Sequence, residues 1–169
     1  MADDIVNQAN HIPLACQRGY LYPRTIEKQG RVYEIILESA ESLPAATFSQ
    51  IFDLFQRNMK EMYLTSSFGW DEGDKISEMR EFCTRSLVVV DTRRSLVVVD
   101  TRVLGFLNYQ VRRENGEAVL QLDESVRGLG IGRELMGRME TIGRKCGIFK
   151  AMLTVFIDNP AVNFYYRLG

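Results

Sequence analysis

The longest regular pattern of hydrophobic and polar residues in this chain lies between Pro44 and about Leu64. Apolar side chains recur there every three or four residues, at Phe48, Ile51, Phe52, Phe55, Met59 and Met62. This spacing puts them on one face of an α-helix. A proline fits the first turn of a helix, because the N–H that it lacks would have no partner there. The pattern therefore predicts one long amphipathic helix.

Other segments have the composition of β-strands. Runs rich in β-branched and aromatic residues predict strands at 31–38, 103–111, 117–122 and 150–157. Shorter helical patterns cover 74–82, 131–146 and 161–168. Asn115-Gly116 is a strong turn signal, so we expect a tight hairpin between the second and third of these strands.

The N-terminal residues differ from the rest of the chain. Residues 1–29 keep no sustained period and contain Pro13, Gly19 and Pro23, so we expect an irregular arm with room for one short helix. The chain of 169 residues is long enough for one domain that buries roughly 70% of the surface exposed by the unfolded chain. We expect that domain over residues 30–169.

Residues 85–93 and 94–102 share one nine-residue sequence, Arg-Ser-Leu-Val-Val-Val-Asp-Thr-Arg. No solenoid has this repeat period, which favours a recent duplication, a splice variant or a sequence-assembly error. Each Leu-Val-Val-Val unit suits a buried strand, and the Asp91–Arg94 segment could turn between the copies. We expect one copy to form the native strand and the other to add a strand or a bulged loop. If both copies continued in line, the odd shift would reverse which side chains face the core.

Composition and charge disfavour several classes of function. The 22 acidic and 21 basic residues give a net charge of −1, without the basic excess of a nucleic-acid binding protein. His11 is the single histidine and the three cysteines are scattered, so histidine-based catalysis, a metal site and disulfides are disfavoured. No apolar run approaches the ~20 residues of a membrane span, and the chain does not begin with a signal-peptide pattern. We expect a soluble, intracellular protein.

Two features allow more than one interpretation. Acidic residues cluster at 71–74 and at Asp123-Glu124, where they could attract a cationic substrate or belong to solvated surface. The loop at 66–73 carries Phe68 and Trp70, which could line a binding groove or pack onto the core. Both alternatives stay open at this point.

The most specific chemical motif is a glycine-rich turn between a strand and a helix. Arg127, Gly128, Gly130 and Gly132 follow the strand that ends near Leu122, and the helix starts at the same turn. Amides in the first turn of a helix lack intrahelical acceptors, and the helix dipole adds positive potential there. Glycines also let an anion approach the backbone closely. The turn is therefore predicted to hold a pyrophosphate.

Two motifs about thirty residues apart resemble the GCN5-related N-acetyltransferase (GNAT) superfamily. They are the Arg-x-x-Gly-x-Gly turn at 127–132 and the closing Asn-Pro-Ala-x-x-Phe-Tyr-Tyr-x-Leu-Gly at 159–169. Within the superfamily, the chain is similar to the type D N-terminal acetyltransferases, which acetylate the N-terminal serine of histones H4 and H2A. The residues that carry this similarity are 58–63, 68–70, 121–122, 152–156 and Asn159. The resemblance implies an α/β, GNAT-like fold with a mixed, mostly antiparallel central sheet flanked by helices and without the final strands.

The same resemblance implies a set of site residues. It assigns the end of a strand to the thioester and pantetheine arm of acetyl-CoA, the glycine turn to the pyrophosphate, and Asn159 to a further CoA contact. The implied cofactor-binding residues are Leu120, Gln121, Leu122, Arg127, Gly128, Leu129, Gly130, Ile131, Gly132, Arg133 and Asn159. Tyr63, Trp70 and Thr154 match substrate-contacting positions, although Tyr63 could be core packing and Thr154 a plain strand residue. Tyr165 matches a tyrosine that protonates the departing thiolate.

The implied reaction is direct acetyl transfer from acetyl-CoA to a neutral α-amine, without a metal. An α-amine has a pKa of about 7.7–8.0, so a carboxylate acting through water could remove its proton. The Tyr-Cys-Tyr-Glu segment that supplies the family's base is absent between Leu120 and Gln121. The carboxylates nearby in sequence are Glu117, Asp123 and Glu124.

The leading hypothesis is an acetyl-CoA-dependent N-terminal acetyltransferase that acts on the N-terminal peptide of a histone. Two alternatives stay open: a shortened isoform that binds acetyl-CoA without efficient turnover, and a small-molecule amine acetyltransferase of the same fold. The resemblance also implies a monomer in the cytoplasm and nucleus that contacts no nucleic acid or membrane directly.

Overall fold

The computed structural model of the chain describes residues 2–94, 99–112 and 118–168. Its helices are α1 (Ala2–His11), α2 (Leu14–Gly19), α3 (Ala45–Thr65), α4 (Glu72–Met79), α5 (Ile131–Lys145) and α6 (Val162–Tyr166). Its strands are β1 (Thr25–Lys28), β2 (Arg31–Ser39), β3 (Thr84–Arg94), β4 (Val99–Gln110) and β5 (Ala118–Leu122), with a short 3-10 turn at Glu124–Val126. Within these ranges, no helix is long and apolar enough to cross a membrane.

The five strands form one sheet in the order β1-β2-β3-β4-β5, and each pair of neighbours is antiparallel. A single parallel bridge joins Ala118, at the start of β5, to Leu153. Helices cover both faces of the sheet. The predicted α/β fold with a mostly antiparallel central sheet flanked by helices is confirmed.

The continuous apolar run Leu87–Val90 in β3 is explained by the position of this strand, which is covered on both faces. Leu87 and Val89 point into the core under α5, whereas Val88 and Val90 point into the core under α3. All four side chains are at most 2% exposed. A strand that is covered on both faces has no solvent side and therefore shows no alternation of polar residues.

α3 confirms the helix predicted from the spacing of its apolar residues. Pro44 caps its N-terminus, and the helix ends before Ser66. The side chains of Phe48, Ile51, Phe52, Phe55 and Met59 are buried against the sheet. The predicted strand at 31–38 corresponds to β2, and the predicted helix at 131–146 corresponds to α5.

The duplicated segment lengthens the hairpin of β3 and β4. β3 continues through Asp91 to Arg94, and Asp91 pairs with Arg102 while Arg94 pairs with Val99. The predicted turn at Asp91–Arg94 is therefore wrong, because the second copy supplies pairing partners for these residues. Residues 95–98, which join the two strands, lie outside the described residues.

A bulge in β4 marks the base of this extension. Val90 pairs with Val103 and Val89 pairs with Gly105, so Leu104 is an extra residue on β4. One extra residue moves the side chains that follow to the opposite face. From Gly105 onward, Phe106 faces α3 and Leu107 faces α5, and both are fully buried.

The N-terminal arm is not irregular, which corrects the sequence prediction. α1, α2 and β1 lie within residues 2–28, and Leu21 and Ile26 are buried in the core under α5. Arg18 Nε donates to the carbonyl oxygen of Leu37 on β2 at 2.9 Å. Such short elements depend on tertiary contacts rather than on periodicity, which explains why the sequence pattern does not reveal them.

The predicted strand at 150–157 is also wrong in its extent. Leu153 alone makes a bridge, and the residues on either side of it are not in a continuous strand. This segment separates from β5 after the bridge, so the ladder ends there. The predicted hairpin at Asn115-Gly116 and the carboxylate Glu117 lie outside the described residues.

The close approach of β4 and β5 gives a testable prediction about stability. A Cβ at Gly105 would overlap Leu122 Cδ2 and would lie 3.1 Å from the carbonyl oxygen of Gln121. A leucine can rotate away but a paired backbone cannot, so Gly105→Ala is expected to lower the free energy of unfolding by about 1–3 kcal/mol. Urea unfolding measures this.

Gly137→Ala is the matched control. Gly137 is exposed on α5, and a Cβ there would meet no atom within 4 Å. This substitution is expected to raise the free energy of unfolding by about 0.5–1 kcal/mol, since alanine favours a helix interior. Equal stability of the two variants would contradict the argument from close approach.

Candidate active site

A cleft of about 1270 Å³ opens where β5 and the segment after Leu153 separate. Its walls come from β5, the 127–133 turn, the 154–161 segment, α6, α3 with the loop after it, α4 with Glu81, and the end of β4. These parts are far apart in sequence. The cleft therefore collects residues from nearly every motif that the sequence singled out.

The edge of β5 presents backbone groups to this cleft. The N–H of Asp123 donates to the carbonyl oxygen of Leu104 at 2.8 Å, so it faces β4. Since the direction alternates along an antiparallel strand, the N–H groups of Leu120 and Leu122 face the cleft. No described group accepts from either N–H, and both can donate to a carbonyl oxygen in the cleft.

The glycine turn has the backbone geometry of an anion site. Gly128 and Gly130 have φ values of 75° and 80°, a left-handed conformation that favours glycine, and Gly130 caps the N-terminus of α5. The six amides from Gly128 to Arg133 have no acceptor among the described residues. These amides and the dipole of a fifteen-residue helix favour a phosphate at this end of the cleft.

A polar network fixes the turn against β5 and α3. The Asn58 side-chain amide donates to Gln121 Oε1 at 3.0 Å and to the carbonyl oxygen of Leu122 at 3.2 Å. Arg127 donates to the same Leu122 oxygen at 3.2 Å and to Asn58 Oδ1 at 3.1 Å. Arg127 therefore holds the glycine turn against the end of β5 and against α3.

Asp123 stabilises the backbone that enters the turn. Its Oδ1 accepts from the hydroxyl of Ser125 at 2.6 Å and from the Ser125 N–H at 3.1 Å. Its Oδ2 lies 3.3 Å from Arg57 and 3.5 Å from Arg102. The hydrogen bond from the Ser125 hydroxyl and the two guanidinium groups lower the pKa of Asp123. Neither Asp123 nor the exposed Glu124 lines the cleft, so these carboxylates support the turn or belong to the surface.

Residues of the closing motif form the opposite wall. Asn159 Oδ1 accepts from the N–H of Ala161 at 2.9 Å, which shapes the turn before α6. Tyr165 lines the cleft, and burial raises the pKa of its hydroxyl. The hydroxyl therefore stays protonated at neutral pH and can act as a proton donor.

Aromatic side chains line the mouth of the cleft. The ring centroids of Tyr63 and Phe156 lie 5.0 Å apart, and those of Phe68 and Phe156 lie 6.1 Å apart. Trp70 instead packs behind Tyr63, with its ring 5.8 Å from that of Phe55. The two aromatic residues of the loop therefore have different environments. Phe68 is 77% exposed at the mouth, and Trp70 packs against the core.

A charged wall, which the sequence did not reveal, faces the aromatic mouth. It consists of Lys75, Glu78, Glu81, Gln110 and Arg112. Lys75 Nζ lies 3.0 Å from Glu78 Oε2 and 4.4 Å from the centre of the Tyr63 ring, and Glu81 pairs with Arg112. Acidic residues near the end of a short helix look like solvated surface in sequence, so the signal is weak.

The cleft brings together all but two of the residues predicted for the site. Tyr63, Thr154, Asn159 and Tyr165 line it, as do Leu120–Leu122, Arg127, Gly128 and Gly130–Arg133. The exceptions are Trp70 and Leu129, whose side chain packs against the core under α5.

A comparison with protein families agrees with this arrangement. A model of the Acetyltransferase (GNAT) family matches residues 49–169. The chain belongs to this family. The match includes α3, β3, β4, β5, the glycine turn and the closing motif, so every wall of the cleft contributes to it.

Solved structures share the fold of this GNAT acetyltransferase. An aminoglycoside acetyltransferase from an uncultured soil metagenomic sample is 15% identical, with 80% of this chain and 86% of that chain covered and a TM-score of 0.54. A ribosomal-protein-alanine N-acetyltransferase from Brucella melitensis biovar Abortus 2308 is 13% identical, with 80% and 90% covered and a TM-score of 0.55. A structure from Pyrococcus furiosus is 21% identical, with 81% and 91% covered and a TM-score of 0.58.

GNAT acetyltransferases use acetyl-CoA, and the cleft fits this co-substrate. The amides from Gly128 to Arg133 would hold its pyrophosphate, and the N–H groups of Leu120 and Leu122 would hold its thioester arm. Space is present as well, because a Cβ at Gly128 would meet no atom within 4 Å. Among the described residues, no group of three or more His, Cys, Asp or Glu could hold a metal ion.

Gly132, in the first turn of α5, gives a prediction about the affinity for acetyl-CoA. A Cβ at Gly132 would lie 3.2 Å from Phe164 Cζ and 3.4 Å from Leu120 Cδ2, so Gly132→Ala must shift these two side chains, which line the cleft, by a few tenths of an ångström. The added methyl group and the shifted side chains are expected to weaken acetyl-CoA binding about 5-fold, which corresponds to about 1 kcal/mol. Calorimetric titration measures this, and Gly137→Ala on the same helix is expected to bind as the wild type does. An unchanged affinity of Gly132→Ala would contradict the arrangement.

Asp123 gives a prediction about pH. The folded-state pKa of Asp123 lies below its unfolded value, so its contribution to stability is present above about pH 3.9 and is lost as the pH falls through the folded pKa. Asp123→Asn is therefore expected to destabilise the chain at pH 7, with a difference from wild type that shrinks toward pH 3. Urea unfolding across this range tests it. A difference that grows toward acid would show the sign to be wrong.

Proposed function

We propose that this GNAT acetyltransferase transfers the acetyl group of acetyl-CoA to the N-terminal α-amine of a protein, and that its substrate is the N-terminal peptide of a histone. The observation that supports this most directly is the contact between Tyr63 and Phe156, whose ring centroids lie 5.0 Å apart in the cleft. They come from two separate segments, 58–63 and 152–156, that are similar to the type D N-terminal acetyltransferases. Thr154 lines the same cleft.

The chemistry follows from groups already described. Acetyl-CoA supplies an acetyl thioester, which a neutral amine attacks. The N–H groups of Leu120 and Leu122 donate toward the thioester oxygen, where negative charge develops during the attack. Tyr165 keeps its proton at neutral pH and can give it to the departing sulfur.

The aromatic mouth of the cleft favours an extended peptide. Phe68 is exposed at the mouth, where it offers apolar surface to the first residues of a peptide. Glu78 and Glu81 line the facing wall, where they pair with Lys75 and Arg112 respectively. We propose that the chain acts as a monomer in the cytoplasm and nucleus, where it meets such peptides and needs no contact with nucleic acid or membrane.

A substrate panel tests the proposal. CoA release is measured with a peptide that begins Ser-Gly-Arg-Gly, with the same peptide blocked at its N-terminus, with a Met-initiated peptide and with a polyamine. The free Ser-Gly-Arg-Gly peptide is expected to give the highest kcat/KM, and the blocked peptide is expected to give no release above background. Preference for the polyamine would reject the peptide assignment in favour of a small-molecule amine.

The absence of the Tyr-Cys-Tyr-Glu segment favours a second candidate, a chain that binds acetyl-CoA without efficient turnover. Calorimetric titration with acetyl-CoA, combined with the same panel, separates the two candidates. Binding without release from any amine would support the non-catalytic candidate, whereas turnover of the peptide would eliminate it.

A further inference from the structure

The charged wall of the cleft contains two carboxylates, Glu78 and Glu81, which have no role in the acetyl transfer described so far. Among the described residues that line the cleft, they are the only acidic side chains, and no histidine lines it. β5 itself carries no carboxylate over its range, Ala118–Leu122. An amine that attacks a thioester must lose a proton, and of the described residues that line the cleft only these two carboxylates can accept it as anions.

The two carboxylates differ in the number of hydrogen-bond and ion-pair partners that they have. Glu81 pairs with Arg112, and its Oε2 also accepts from Gln110 Nε2 at 3.3 Å and lies 3.9 Å from Cys83 Sγ. Glu78 uses Oε2 for Lys75 at 3.0 Å, and its Oε1 has no described partner. The Glu78 side chain is 42% exposed, which gives a proton a way out to solvent.

We infer that Glu78 is the general base of this acetyltransferase, in place of the carboxylate that the missing segment supplies in the family. Glu78 accepts the proton of the substrate amine through Oε1, for which no described residue is a partner, directly or through one water. This inference rests on the acetyl transfer proposed above and adds the residue that takes the proton.

The proton balance of the step is complete. The amine nitrogen forms a bond to the acetyl carbon while the bond from that carbon to sulfur breaks. Glu78 accepts the proton that the nitrogen loses, and Tyr165 gives its proton to the sulfur. Glu78 then releases its proton to solvent and Tyr165 regains one, so the products are an acetylated amine and free CoA.

Lys75 does not take the role of the base. Burial by itself lowers the pKa of its ammonium group, but the hydrogen bond to Glu78 and the nearby Tyr63 hydroxyl outweigh burial and raise this pKa overall. Lys75 therefore stays charged at neutral pH, over the Tyr63 ring. The charged and titratable groups around Glu78 are Lys75 on α4, Tyr63 on α3, Glu81 between α4 and β3, and Arg112 just after β4.

The test compares Glu78→Gln with the wild type in the full chain, at saturating acetyl-CoA and with the amine that the wild type acetylates best. Removal of a general base is expected to lower kcat by about 100-fold or more at pH 7. Acetyl-CoA affinity, measured by calorimetric titration, is expected to stay within twofold because no described contact joins Glu78 to the glycine turn. Glu78→Asp keeps a carboxylate with a shorter reach and is expected to recover part of kcat.

A pH series distinguishes proton transfer from a structural effect. As the pH rises, hydroxide increasingly competes with Glu78 as the acceptor of the proton that the nitrogen loses, so solvent replaces part of the role of Glu78. The ratio of wild-type to Glu78→Gln activity is therefore expected to shrink between pH 6.5 and pH 9.5. A ratio that stays constant across this range would overturn the assignment.

Two further variants complete the design. If Glu78 served only to hold Lys75, then Lys75→Met would lose as much kcat as Glu78→Gln; we expect Lys75→Met to lose less than tenfold. Glu72→Gln, on the exposed side of α4 and away from the cleft, is the matched control and is expected to retain wild-type kcat.

The outcomes separate this inference from the proposed function. If the wild type prefers a polyamine, the peptide assignment fails, and the variants are compared on the polyamine, where the same losses still support Glu78. If Glu78→Gln retains kcat within threefold on the preferred amine, Glu78 is not the base even though acetyl transfer stands. If the wild type turns over no amine, both proposals fail.

Discussion

The site depends on the point at which β5 stops pairing with the segment around Leu153. β5 has a full antiparallel partner in β4 but touches the following segment only through the bridge between Ala118 and Leu153. Beyond that bridge the two segments diverge, and the edge of β5 keeps N–H groups that no other strand uses. An unpaired strand edge normally invites aggregation. Here its donors line a cleft, where a bound carbonyl can use them.

The buried strands and long helices were predictable from the sequence because local patterns reflect them directly. The apolar stripe of α3 and the unbroken Leu87–Val90 run of β3 each have one structure that buries them, and both predictions are confirmed. The glycine turn was equally readable, since positive φ at Gly128 and Gly130 is a requirement that other residues meet only with strain. These features locate the part of the candidate site that contains the glycine turn.

Features that depend on distant contacts could not be predicted in the same way. α2 and β1 are too short to show a period, and they are held by contacts such as Arg18 with the carbonyl of Leu37. Asp123 resembles a surface carboxylate in sequence, yet Ser125, Arg57 and Arg102 converge on it. The charged wall could not be predicted from the sequence for the same reason, because only the fold brings the end of α4 to the cleft.

The bulge at Leu104 divides the β3–β4 hairpin into two parts with different roles. The described residues of the second repeat copy lie in the part nearer the tip, where Asp91 pairs with Arg102 and Arg94 pairs with Val99. Beyond the bulge, Phe106 and Leu107 face opposite cores, and residues 105–109 of β4 pair with β5. Changes in the length of the tip are therefore separated by the bulge from the part of β4 that positions the strand at the edge of the cleft.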